Sequence, residues 1–300
     1  VVRHLTEGSI PSPFELALQE IGMKIETLVE DIYSTLENKH KLSEDNLSSF
    51  LKGIEKAIRD HVENERDNKA RPTLRMSSIG KPLRRLWMEL NHPKKDAQHK
   101  GPMLIKFLYG SLLEDLLIFL TKEAGHSVTD EQKEVTLNGV KGHIDCKIDG
   151  EVVDVKSASD FAFRKFKLGT LENDDPFGYI GQISGYAMAE GKNNGYFLAI
   201  NKVTGEITLL EIDDFGIINA DKRINQIREA VKETIPPSLC YRPVADGKSG
   251  NMRLNRNCVY CPFKEECWKD LRVFKYKDSL RYLTKVVREP NVPEVTDTYM

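Results

Sequence analysis

Asp145, Asp154 and Lys156 are the residues of this chain whose types and spacing best suit chemistry. They flank Asp149-Gly150, which sits between two runs rich in β-branched and apolar residues. A two-residue Asp-Gly loop favours a type I′ turn and a tight hairpin. That loop sets a register in which Ile148 opposes Glu151, Lys147 opposes Val152, Cys146 opposes Val153 and Asp145 opposes Asp154. Side chains alternate along a strand with a period of two. Ile144, Cys146, Ile148, Val153 and Val155 are therefore expected on one apolar, core-facing side. Asp145, Lys147, Asp154 and Lys156 are expected on the other. Carboxylates directly opposed across a ladder stand ~5 Å apart and repel each other. A divalent cation between them removes that penalty, and Mg²⁺ suits a site with few carboxylates and retained waters. The Lys156 ammonium, two residues beyond Asp154, can position an attacking water or stabilise charge on a phosphate. The same pattern also fits a plain surface hairpin with Asp and Lys on its wet face.

A third acid, Glu114, lies on a helix expected over 111–124, where Ser111-x-x-Glu114 also fits a capping box. Gln182 and Tyr186 share one face of a helix expected over 176–190. There they can contact phosphate or orient Lys156, or be ordinary helix-surface residues. Cysteines stand at 146, 240, 258, 261 and 267. Their odd number and tight C-terminal spacing do not resemble a secreted disulfide framework, and they place the chain in a reducing cytoplasm. Cys146 is expected to point into the core.

The elements that position these residues follow from periodicity and punctuation. Amphipathic helices are expected over 14–36 and, from Ser43 with Glu44 and Asp45 in the first turn, over 43–63. A polar linker runs from Glu63 to Pro72. The 111–124 helix ends at Gly125, a suitable C′ residue. Strands are expected over 132–138, 142–148 and 151–157. The 176–190 helix is closed by Gly191. Strands over 195–201 and 206–212, a helix over 214–234 ending before Pro236-Pro237, and a loop-rich cysteine segment over 238–270 complete the order. This succession implies an α/β fold with a mixed central sheet flanked by helices. It divides the chain into a helical region at 1–72, an α/β core at 73–237 and a small cysteine-bearing lobe and tail at 238–300.

Three hundred residues, 40% of them hydrophobic, suffice for a sizeable core, and 30% charged residues with a negative mean hydropathy argue for a soluble protein. No apolar run approaches a membrane span, and the N-terminus lacks the apolar core of a secretory signal. The net charge of −2 does not announce a polyanionic partner, but its distribution is uneven. Residues 73–110 carry Arg75, Lys81, Arg84, Arg85, Lys94, Lys95, Lys100 and Lys106 against only Glu89 and Asp96. Further basic clusters run from Phe161 to Lys167, including Arg164 and Lys165, and from Arg272 to Arg288. Such patches either track phosphates or form solvated faces.

Gly142-His143-Ile144-Asp145, Val153-Asp154-Val155-Lys156 and Gln182-x-x-x-Tyr186 together resemble the successive motifs of the RecB-like branch of PD-(D/E)XK nucleases, over roughly residues 75–270. The resemblance implies a restriction-endonuclease-like core and hydrolysis of DNA, at single-stranded or duplex ends, with Mg²⁺ or Mn²⁺. It makes Glu114, Asp145, Asp154 and the Val155 carbonyl the metal ligands. Lys156 would position the attacking water, and Gln182 and Tyr186 would support the site or the DNA. Lys81, Arg84, Arg85, Arg164 and Lys165 are the expected backbone contacts. Cys258-x-x-Cys261-Pro262-Phe263-Lys264-x-x-Cys267-Trp268 is similar to the cysteine tail of CRISPR-associated RecB-like nucleases and phage exonucleases. In the iron–sulfur members a fourth cysteine precedes the core, whereas the matching stretch here, Ser77 to Trp87, has Pro82 or Leu83. Cys240 is the local candidate for the fourth thiolate. The cysteines then hold a [4Fe–4S] cluster, Zn²⁺ or no metal. An exonuclease of phage recombination or DNA processing is the leading expectation. A structure-selective endonuclease or junction resolvase, and a non-catalytic DNA-binding protein on the same fold, are the alternatives.

Overall fold

The computed structural model describes residues 24–63, 72–93, 101–213, 216–277 and 279–296. The expected linker, the start of the first helix and Lys94, Lys95 and Lys100 lie outside them, wholly or in part. Helices α1 (Leu28–Glu37) and α2 (Glu44–Val62) come first, followed by α3 (Leu83–Asn91) and α4 (Gly101–Glu123). Strands β1 (Val128–Thr129), β2 (Glu134–Leu137), β3 (Val140–His143), β4 (Cys146–Ile148) and β5 (Glu151–Ala158) follow. Next are α5 (Asp160–Lys167), α6 (Tyr179–Ala189), β6 (Gly195–Asn201), β7 (Ile207–Ile212) and α7 (Ala220–Lys232). The C-terminal part holds β8 (Val244–Ala245), β9 (Met252–Arg253), short helices α8 (Arg256–Val259) and α9 (Lys264–Cys267), β10 (Arg272–Tyr276) and β11 (Ser279–Lys285).

The central sheet has the order β1-β4-β5-β6-β7, with β5 and β6 parallel and the other pairs antiparallel. It is the expected mixed sheet flanked by helices. β6 is buried along its whole length, as a central strand covered on both faces must be. On one face Cys146, Ile148, Val153, Val155, Leu198 and Ile200 pack against Leu28, Ile32 and Leu117 of α1 and α4. On the other, Val152, Phe197 and Ala199 pack against Phe163, Phe166, Ile183, Ile224 and Ile227 of α5, α6 and α7. Apolar burial on both faces makes this a three-layer arrangement.

Local signals explain most boundaries. Ser43 caps α2, Ser159 caps α5 and Asn219 caps α7, each accepting a backbone N–H from the first turn. Asp149 and Gly150 take φ of 50° and 86°, as a type I′ turn requires. Their hairpin has the expected register: Ile148 opposite Glu151, Lys147 opposite Val152 and Cys146 opposite Val153.

Several expectations are corrected. The run 142–148 is two strands, broken at Ile144-Asp145. β3 pairs with β2 in a separate two-stranded sheet, so 132–138 does not enter the central one. Ile144 donates its N–H to the Lys133 carbonyl, and Asp145 accepts from the Gln132 N–H. This second hairpin draws the chain out of the central ladder. Alternation therefore fails at the break, and Ile144 packs with Val152 and Tyr186, on the face opposite Cys146 and Val153. α4 begins at Gly101 and not near 111, so Ser111 caps nothing; it lies mid-helix. The expected loop-rich stretch 238–270 contains the two-residue strands β8 and β9, which join β10 and β11 beyond it in a four-stranded sheet, β10-β11-β9-β8.

Candidate active site

Asp154 and Lys156 lie on β5 and project toward α6, since Val153 and Val155 fill the opposite face. Asp154 is fully buried. Its Oδ1 accepts from Gln182 Nε2 at 2.7 Å, and its Oδ2 meets the Lys156 ammonium in an ion pair. Gln182 Nε2 also lies 3.4 Å from the Tyr186 hydroxyl. Gln182 thus holds the carboxylate, and Tyr186 one turn on meets Gln182. Tyr186 is itself buried against Gly142: a Cβ there would stand 2.7 Å from the Tyr186 ring and 2.5 Å from Met76. The glycine of the first motif is a close-packing requirement.

Asp145 reaches the same place by a route that alternation does not foresee. The ladder between β4 and β5 ends at Cys146 and Val153. The next N–H of β5 aimed at that edge belongs to Val155, and a buried N–H needs a partner. Asp145 Oδ2 accepts it at 2.7 Å. A side chain therefore replaces the strand carbonyl, and the carboxylate is fixed one residue beyond Asp154. Glu114 approaches from α4, with its Oε1 accepting from Gln132 Nε2 at 2.9 Å.

The electrostatics join these groups. Burial, then the charges of Asp154 and Glu114, hold the Asp145 carboxyl well above its ordinary range. Glu114 is pushed up to about 7 by burial, with the Lys156 ammonium opposing and Asp154 and Asp115 adding to the shift. Burial also raises Asp154, against the opposing effect of Lys156. Burial disfavours the Lys156 ammonium, but Asp154 and Asp145 outweigh it and keep the lysine charged. Tyr186 is pushed up to about 12, chiefly by burial. Three carboxyl groups and one ammonium therefore share a site in which ionising all three acids together is disfavoured.

Among the described residues, no three His, Cys, Asp or Glu side chains converge closely enough as they lie to hold a metal ion. The donor chemistry nevertheless fits a hard divalent cation. The donors are oxygens, and the acids raise one another's affinity for positive charge.

The other expected site residues divide. Lys147 joins an outer network with Asp130 at 3.1 Å and with Glu190, away from the acids. Arg85 and Lys81 both pair with Glu89, at 2.9 and 3.0 Å. Arg84 donates to the Pro237 carbonyl at 2.6 Å and to Cys267 Sγ at 3.3 Å. Lys165 donates to the Asp174 carbonyl at 2.7 Å and to its carboxylate at 2.6 Å. Arg164, paired with Asp160, remains largely exposed. Of the five cations expected to contact a phosphate backbone, Lys81, Arg84, Arg85 and Lys165 serve internal contacts.

Cys240, Cys258, Cys261 and Cys267 all line one small cavity, together with Pro82 and Arg85 at the start of α3. None forms a disulfide. Burial and the neighbouring thiols push Cys258 up to about 12. Trp87 and Met88 of α3 pack with Phe263, Cys261 and Cys267. The Ser77–Trp87 stretch therefore does reach the cysteines, and Pro82 stands at the cavity wall. Cys146 lies in the core, as expected.

Three functional neighbours were missed from sequence. Tyr179 carries the Lys156 ammonium 5.3 Å from its ring centroid. Asp175 accepts the N–H groups of Gly178, Tyr179 and Ile180, and so fixes the start of α6. Gln132 anchors Glu114. An Asp shortly before a helix is a capping signal and marked Asp175; the other two have no local signature.

No family model and no curated protein matches the chain. Solved structures of similar trace include SSO0001, at 16% identity and a TM-score of 0.38, covering 72% of this chain and 94% of that one. An alkaline exonuclease from Laribacter hongkongensis is 15% identical, with a TM-score of 0.34, over 52% of this chain and 89% of that one. A phage related exonuclease from Haemophilus somnus 129PT is 16% identical, with a TM-score of 0.34, over 55% and 92%. These likenesses are loose.

Proposed function

We propose that this chain is a metal-dependent nuclease that hydrolyses DNA phosphodiesters, acting from strand ends. The observation that carries the reading is the convergence of the half-buried Asp145 and Lys156 on the fully buried Asp154, ordered by Val155 N–H and Gln182. An ion pair kept only for stability is a poor use of burial, because desolvation offsets most of its gain. Three acids with their protons held up by burial and mutual repulsion, beside a charged lysine, form the kind of tuned cluster found at functional sites.

Asp145, Asp154, Glu114 and the Val155 carbonyl are the residues that would hold Mg²⁺ or Mn²⁺. Bound there, the ion would supply charge neutralisation and a more acidic water. The chain's own contributions are positional and electrostatic. Gln182 and Val155 N–H fix the two aspartates, so no reorganisation is needed as charge develops. Lys156 keeps its proton and can orient a water or face a non-bridging phosphate oxygen. Tyr179 and Tyr186 wall the site and limit solvent. DNA backbone contacts fall to exposed cations such as Arg164, because Lys81, Arg84, Arg85 and Lys165 are internally paired.

Lys156→Ala, with linear DNA and Mg²⁺, is the test. Its degradation rate is expected to fall by at least about 100-fold, and equal degradation by wild type and variant sinks the catalytic reading. Closed circular DNA should survive. Its cleavage at a comparable rate would favour a structure-selective endonuclease.

The four cysteines are proposed to hold a second metal group, a [4Fe–4S] cluster or Zn²⁺. The supporting observation is their convergence on one cavity at which the thiols raise one another's pKa. Soft thiolate donors suit either group.

A further inference from the structure

Beyond the acids and Lys156, the site carries an aromatic stack whose outer ring their chemistry does not use. Tyr179 opens α6, and its ring lies 5.3 Å from the Lys156 ammonium. Its inner neighbours are Phe166 and Phe197, at 6.0 and 6.2 Å between centroids. These hold it against the core. On its outer side Phe177 stacks on it, with centroids 5.5 Å apart and planes at 23°. Phe177 is nevertheless 59% exposed. A large apolar ring at the end of a rigid stack, with most of its surface wet, gains little for folding.

Its position is imposed, not incidental. Asp175, two residues before it, takes three N–H groups of the turn that starts α6. Gly178, the residue after it, adopts φ of 82° and abuts the Gly80 backbone, where a Cβ on Gly178 would lie 2.3 Å from the Gly80 carbonyl carbon. The loop is thus pinned on both sides of Phe177. The other exposed aromatic nearby, Phe161, differs. Lys165 and Arg256 stand 5.3 and 5.1 Å from its centroid, so cations already use that ring.

Aromatic rings bind nucleobases by face-to-face stacking, with little regard to sequence, because every base presents a π-face. Such stacking needs a base released from the duplex. We propose that Phe177, backed by Tyr179, is the platform on which the unpaired nucleobase next to the scissile phosphate stacks. The inference rests on the nuclease reading and deepens it. It makes the substrate a single-stranded or frayed end and gives Phe177 a role in positioning substrate.

The test measures binding apart from cleavage. Fluorescein-labelled dT12 is titrated with the full chain in EDTA, and its anisotropy followed, for wild type, Phe177→Ala, Phe177→Trp and Leu168→Ala. Leu168 is an exposed apolar residue outside the stack. Phe177→Ala should weaken binding by about 5-fold or more, the lower end for loss of one stacked base. Phe177→Trp should restore it and Leu168→Ala should leave it unchanged. An oligonucleotide of abasic residues should bind wild type and Phe177→Ala alike. Equal dT12 binding by wild type and Phe177→Ala overturns the platform, as does the absence of any dT12 binding to wild type. The nuclease reading fails separately, if wild type and Lys156→Ala degrade linear DNA equally. Loss of dT12 affinity in Phe177→Ala would still stand in that case as evidence for a base-binding site.

Discussion

At the residue scale, the site trades stability for charge. Glu114, Asp145 and Asp154 are desolvated together, and the Lys156 ammonium is the positive charge that opposes their repulsion. Removing the lysine leaves buried carboxylates unpaired, which is costly; removing one acid relieves the repulsion. Glu114→Gln keeps the shape and can keep a hydrogen bond to Gln132, but deletes a charge from the cluster. In metal-free buffer it is expected to stabilise the fold by ~1 kcal/mol, a rise in Tm of about 2–4 °C, while Mg²⁺-dependent cleavage falls. A lower Tm in metal-free buffer would show that Glu114 is a structural group and not a strained ligand. Asp145 shows why residue-level patterns mislead here. Its place is set by an N–H of β5 that lost its strand partner, not by the alternation of its own strand.

At the element scale, α1 and α2 are fastened to the core by buried polar contacts at the far end of α4. Glu123 is buried, and it accepts from Asn46 Nδ2 at 2.7 Å and the Ser43 N–H at 3.2 Å, with His40 Nε2 at 2.9 Å. Burial alone would raise its pKa, but these three partners outweigh burial and lower it. Asp149 in the β4–β5 turn similarly meets His126 at 2.6 Å, whose other nitrogen lies 3.2 Å from Asp31 of α1. The N-terminal helices therefore hold both the turn and the end of α4. Glu123→Ala should cost about 2–3 kcal/mol, since it strands several donors. A carboxyl with a lowered folded pKa stabilises above its unfolded value and loses that contribution as pH falls through the folded one. The gap between wild type and Glu123→Ala in urea denaturation should then be full at pH 7 and shrink below about pH 4. A gap independent of pH would mean that the lost stability comes from packing alone.

At the scale of the whole molecule, two bodies of structure meet along α3. The central sheet buries its own two clusters. The C-terminal part has only a small core, centred on Leu254, Val273 and Tyr282. It is tied to the rest by Arg84, which donates to Cys267 Sγ at 3.3 Å, and by Phe263 against Trp87 and Met88 of α3, itself held to the end of α7 by the Trp87 Nε1 bond to the Glu233 carbonyl at 2.9 Å. So small a core benefits from a staple. Elemental analysis of purified protein should find iron with sulfide, or zinc, in a ratio near one site per chain. Cys258→Ser should lose that metal. It should also lose hydrogen-exchange protection over 240–285, with β5 and β6 keeping theirs. A metal-free protein with full protection over 240–285 would leave the cysteines as reduced wall residues of a cavity.

The sequence by itself determined what depends on near neighbours. Asp149-Gly150 set the register of β4 and β5, because a two-residue turn with both φ positive leaves one pairing. Helix α6 was legible in period and end signals, and with it the i, i+4 placement of Gln182 and Tyr186. The mixed sheet followed from the order of elements. Tertiary structure alone decided what depends on competition between distant partners. The 132–143 hairpin outbid the central ladder for the backbone of Ile144 and Asp145, and no local pattern records that contest. The basic run at 81–85 read as a phosphate track until Glu89, Pro237 and Cys267 were seen to use its charges. Helix α5 was hidden by its basic composition, although Ser159 and the buried Phe163 and Phe166 mark it in retrospect. The short strands β8 and β9 exist only by pairing with each other and with β11, and two residues carry no period to read. The cysteines were visible as a group, but whether Cys240 joins the other three is a matter of chain path. Contacts near in sequence are fixed by geometry and propensity; contacts far apart are fixed by which of several partners the fold leaves free.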